Sequence, residues 1–108
     1  MARIDLNSLI GKSGNLTEMH IGAGMPHSPS SCPVALCLNG MIGNLGVVTA
    51  VSSGVATIDD EFHPAGEIHI TQRLRSWIVR FDDGMDVPTG ELFVFKGYSH
   101  LWVDLIEK

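Results

Sequence analysis

Apolar and polar positions alternate most clearly between residues 47 and 58. Val47, Thr49 and Val51 stand against Val48, Ala50 and Ser52. Ser53-Gly54 supplies a turn, and Val55 to Ile58 begins a return strand. β-Branched residues dominate both arms, as a pleated surface prefers. "EIHITQRLRSWIVRF", residues 67 to 81, reads as a long strand. Ile68, Ile70 and Leu74 fall on one face, with Gln72 interrupting the row, and Glu67, His69, Thr71, Arg73 and Arg75 fall on the other. Trp77, Val79 and Phe81 then continue the odd-numbered row. The buried row thus changes parity between residues 74 and 77. A one-residue shift flips every side chain to the other face, so the pattern predicts a bulge or bend there. Asp83-Gly84 predicts the next hairpin, Pro88 an edge or a strand start, and "ELFVF" another strand. Residues 76 to 95 are therefore read as two strands around a tight turn, with Trp77, Val79 and Phe81 sharing a buried face. "YSHLWVDLIEK" fits both a weak strand and a short helix opened by Ser99.

The first third is less regular. Residues 3 to 10 fit a short strand or one helical turn, stopped by Gly11. "GKSGNLTEMHIGAGMPHSPSSCP", residues 11 to 33, reads as a long loop with a short strand near residues 16 to 21; such loops are usually functional or disordered. "VALCLNG" is a short apolar run ended by Asn39-Gly40.

Composition narrows the class. A chain of 108 residues predicts one domain, with residues 1–33 as a loop-rich extension and 34–108 as a β core. At this size it buries roughly 65% of its unfolded surface, enough for a core without staples. Apolar residues at 44% and charged residues at 18% exclude a disordered chain. Twelve glycines and five prolines suit a turn-rich sheet. The net charge of −5 gives no global field for phosphate backbone, so nucleic acid is not an expected partner. No apolar run has signal-peptide or membrane-span length, and two cysteines without an export signal point to reduced thiols in a cytoplasm.

"GNLGVVTAVSSGVATI" resembles the opening hairpin of SH3-like small barrels of the KOW and Tudor kind, and "WIVRFDDGMDVPTGEL" is similar to their next hairpin. The likeness spans about residues 43 to 95. It implies a fold that binds peptides, modified side chains, RNA or protein partners. A Tudor-type aromatic cage needs several converging aromatics. The chain has one tyrosine, and the core accounts for most other rings, so methylated side chains are not the expected ligand.

Four constellations carry candidate chemistry. His27, Cys32 and Cys37, with His20 upstream, are soft-metal ligand types, but Cys-x4-Cys is a loose spacing and Cys37 sits among apolar neighbours. Cys32, between serines and Pro33, is a candidate nucleophile with His27 or His63 as base, and it is expected to be more accessible than Cys37. "IDDEFHP" collects acids and His63, which a solvated turn explains equally. Asp82 and Asp83 read as turn chemistry. His69, Thr71, Arg73 and Arg75, at every second position, form the one concentrated positive face of an acidic chain, able to hold a phosphate, a carboxylate or an acidic partner.

The expected fold is mainly β, a small SH3-like barrel or strongly bent antiparallel sheet with a long N-terminal loop extension. The expected function is a non-catalytic binding module for an acidic or phosphorylated partner or a small anionic ligand, with no cofactor or metal. Its site would join His27 and Cys32, in the 22–33 loop, to His69, Thr71, Arg73 and Arg75. One alternative is a small metal-dependent or thiol hydrolase using His27, Cys32 and His63. Another is a structural subunit that forms homodimers through the Pro88 strand or "HLWVDLI".

Overall fold

The computed structural model describes residues 6–28, 30–42, 47–51, 54–59 and 64–107. A 3-10 turn at Leu6–Leu9 leads into strand β1 (Ser13–Leu16), helix α1 (Glu18–Ala23) and helix α2 (Pro33–Ile42). Strands β2 (Val47–Val51), β3 (Val55–Asp59) and β4 (Pro64–Ile70) follow. Helix α3 (Gln72–Asp82) and strands β5 (Gly90–Lys96) and β6 (Leu101–Glu107) complete the order. The fold is mainly β: the strands form a curled half-barrel sheet in the order β1-β5-β6-β4-β3-β2. Neighbouring strands are antiparallel except at the seam between β4 and β6, where two parallel pairs, His69 with Trp102 and Ile70 with Val103, join the two halves.

The β2–β3 hairpin forms where period-2 patterning placed it, with a register shift between Val48 and Ala50. Residues 101–107 resolve to a strand, paired with β5 along its length. In both, alternate positions are buried: Leu92, Val94, Val103 and Leu105 are at most 1% exposed. These side chains share one hydrophobic cluster with Val34, Ala35, Leu38 and Ile42 of α2 and Leu74 and Trp77 of α3. The two longer helices therefore cover one face of the sheet. Among the described residues nothing helical packs on the other.

Two segments differ from expectation. "VALCLNG" belongs to a helix, because Pro33 starts it without losing a helical N–H and Val34, Leu38 and Ile42 recur at every fourth position on the buried side. Asn39-Gly40 lies inside this helix and does not end it. The long strand read over residues 67–81 stops at Ile70. Thr71 turns the chain by capping α3, its hydroxyl accepting from the Leu74 N–H at 3.4 Å. Leu74, Trp77, Ile78 and Phe81 then follow at i, i+3, i+4 and i+7. The parity change is thus the signature of a helix rather than a bulge. Trp77 is buried and donates its Nε1–H to the Pro88 carbonyl at 2.9 Å. Phe81 is half-buried and stacked on Trp77, whereas Val79 is 55% exposed, so the three do not share a face. Asp83-Gly84 ends α3. Gly84 takes φ +78°, the left-handed conformation that a helix C-terminus needs as much as a tight hairpin does.

Within residues 11–33 the chain forms β1 and α1. No helix among the described residues is long and apolar enough to cross a membrane.

Candidate functional site

The helix in place of a strand rearranges the positive face. His69, Thr71, Arg73 and Arg75 have no common side. His69 points outward from β4 onto the rings of His100 and Trp102, with centroids 4.3 and 5.1 Å away. Thr71 donates its hydroxyl hydrogen to Asp104 Oδ1 at 2.6 Å. Residues two apart on a helix stand about 200° around its axis. Arg73 therefore turns back to the sheet, its Nη1 donating to the Leu105 carbonyl at 3.2 Å. Arg75 turns the other way.

Arg75 lies in a groove of about 450 Å³ along α3, lined by Gln72, Ser76, Val79 and Asp82, with Val51 of β2 across it. Positions 72, 75, 76 and 79 form the helix face opposite the buried Leu74 and Trp77. Arg80 also reaches this groove, but its Nη2 donates to the Asp86 carbonyl at 3.1 Å. Among the described residues Arg75 has no side-chain hydrogen bond or ion pair. The first turn of α3 contains no acidic side chain to balance it. An exposed guanidinium beside an amide and a hydroxyl can take a carboxylate or phosphate oxygen pair through its parallel N–H donors. Gln72 and Ser76 are new members of this surface. Their i, i+4 spacing was present in the sequence but is invisible when the segment is read with period 2.

The loop over residues 22–33 meets α3 at the far end from Arg75. His27 adopts φ +59° and donates its backbone N–H to Asp82 Oδ1 at 2.9 Å; its ring Nδ1 lies 3.9 Å from Oδ2. Most of the loop is exposed, but Cys32 is not. Cys32 is 4% exposed and Cys37 3%, so the expected difference in accessibility is absent. Ser30 is exposed and Ser31 partly so, while the Cys32 sulfur turns inward and accepts the Ala35 N–H at 3.4 Å at the start of α2. Burial pushes the Cys32 thiol up, and the nearby Asp82 charge adds to this, against backbone hydrogen bonds that oppose it. Burial pushes Cys37 to about 11. Both effects hold the thiols protonated, the reverse of what activates a nucleophilic cysteine.

His20 is tied locally, its Nδ1 accepting the Thr17 N–H at 3.1 Å, and Cys37 donates to the Asn15 carbonyl at 3.5 Å. Among the described residues no three His, Cys, Asp or Glu side chains are grouped to hold a metal ion. His63 lies outside the described residues. No family model, curated protein or solved structure matches the chain.

Proposed function

We propose that this chain is a non-catalytic binding module whose site is the α3 groove, taking a carboxylate- or phosphate-bearing group from an acidic partner or a small ligand. The observation that carries this reading is Arg75, exposed and unpaired among the described residues, with Gln72 and Ser76 beside it in a groove of about 450 Å³. Asp82 also lines the groove, but among the described residues no carboxylate pairs with the Arg75 guanidinium, which leaves its donors for a ligand. His69, Thr71 and Arg73, engaged elsewhere, leave the earlier site, and His27 and Cys32 take no direct part. The SH3-like reading keeps the β2–β3 hairpin as its support. Its second hairpin is replaced by α3.

The test is calorimetric titration with inorganic phosphate and with a short aspartate-rich peptide, using the wild-type and Arg75→Glu proteins. Binding that weakens with salt and disappears in Arg75→Glu is the expected result. The substitution is exposed and should shift stability by no more than about 0.5 kcal/mol. Equal binding by both proteins, or none by the wild type, rejects the groove.

A further inference from the structure

The sheet face away from the helices carries a strip of rings that the core does not use. Phe93 and Phe95 point outward from β5, with centroids 5.3 Å apart. Trp102 of β6 stands opposite Phe95 on one side and His69 of β4 on the other. His69 in turn lies against His100. Tyr98, in the turn between β5 and β6, is fully exposed, and Ile106 on the same face of β6 is 47% exposed. The Trp102 indole packs on Gly97, where a Cβ would collide with it, so the ring is held at the surface by the turn itself. Partly exposed rings of this size, contiguous over three strands, mark contact surfaces rather than ordinary solvated faces.

Charge selects what covers them. The charged side chains at outward positions of β4, β5 and β6 are Glu67, Glu91 and Asp104. No lysine or arginine occupies an outward strand position among the described residues. Asp104 accepts two hydrogen bonds, from the Thr71 hydroxyl at 2.6 Å and from the Leu105 N–H at 2.8 Å, and these fix its carboxylate at this place on the sheet. A second copy would bring the same three acids, on a chain of net charge −5, against themselves. A polyanion would be repelled for the same reason. A cation is attracted twice, by the carboxylates and by the faces of the rings.

We infer that this face docks a basic segment of a partner protein, which lays arginine or lysine side chains over Phe93, Phe95 and Trp102 and sets their charges toward Glu67, Glu91 and Asp104. The surface is separate from the α3 groove and prefers the opposite sign of charge.

The experiment is a calorimetric titration of the full chain with a peptide of alternating arginine and glycine, and with its glutamate-for-arginine counterpart. Trp102 fluorescence is a second readout, because Trp77 is buried. The arginine peptide should bind, more weakly as salt rises, and the glutamate peptide should not. Phe95→Leu with Trp102→Leu should weaken binding roughly tenfold. Glu67→Gln with Glu91→Gln, which leaves the rings and their packing in place, should weaken it to a similar degree. Absence of arginine-peptide binding, equal binding of both peptides, or unchanged binding by the Glu67→Gln/Glu91→Gln protein overturns the proposal. A dimer seen by sedimentation and lost in the ring variant would also overturn it, by assigning the face to a second copy.

Discussion

The two faces of the β5–β6 hairpin are made from the same strands and obey different rules. The inner face is aliphatic and sealed: Leu92, Val94, Val103 and Leu105 interdigitate with α2 and α3. The outer face carries the larger rings, Phe93, Phe95 and Trp102, and leaves them partly exposed. Hydrophobic size does not decide which side becomes the core. The helices decide it, because only one face has partners that fill space at interior density. The other face keeps its rings in a place where something else can touch them.

Removing the cover should show this contrast at its largest. Trp77→Ala deletes the biggest buried side chain of α3 and its bond to Pro88, and should cost about 3–5 kcal/mol in urea denaturation. A loss under about 1 kcal/mol would mean that α3 does not seal the inner face. The next test compares the faces directly. Leu105→Ala should cost about 2–5 kcal/mol, and Phe93→Ala, although it removes a larger group, less than half as much. Equal losses in the two melts would break the distinction. Thr71→Ala removes the cap of α3 and the bond to Asp104, where the chain passes from outer strand to inner helix, and about 1 kcal/mol is expected from thermal melts analysed at a common temperature. Val79→Ala, on the exposed side of α3, should stay within about 0.5 kcal/mol. A larger cost would place Val79 in a contact that its 55% exposure does not show.

The legible parts of the sequence were those with one rhythm and one reading. The β2–β3 hairpin has β-branched alternation on both sides of a Ser-Gly pair, and its two strands pair as read. The segment from Gln72 to Asp82 was ambiguous because its apolar residues satisfy two periods. Trp77, Val79 and Phe81 fit period 2, while Leu74, Trp77, Ile78 and Phe81 fit 3.6, and only the second also explains the parity change. Thr71 compounds the ambiguity, since threonine is both a good strand residue and a good cap. The α2 run was too short and too uniformly apolar for periodicity to separate helix from strand. In "ELFVF" and "LWVD" both parities contain apolar residues, so alternation locates the strands without saying which side faces the core. The rings were accordingly assigned to the interior, and a surface went unread. Cys32 was misplaced for a different reason: its serine and proline neighbours describe the loop, whereas its sulfur follows the start of a helix whose next residues are buried.

The strand order has a consequence for how the molecule comes into being. β6 is the last of the six strands to leave a ribosome, yet it lies in the middle of the sheet, between β5 and β4. Before it emerges, β2, β3 and β4 can assemble as one unit. β1 and β5 must find each other across most of the chain to form the other. Each unit then presents an unpaired inner edge, and edges of this kind invite pairing with other chains. Ile70 and Val103, Thr71 and Asp104 become neighbours only in the closing step. Closure of this sheet is thus set off by the arrival of one strand that fills a slot between two waiting halves, and the chain is most vulnerable just before that arrival.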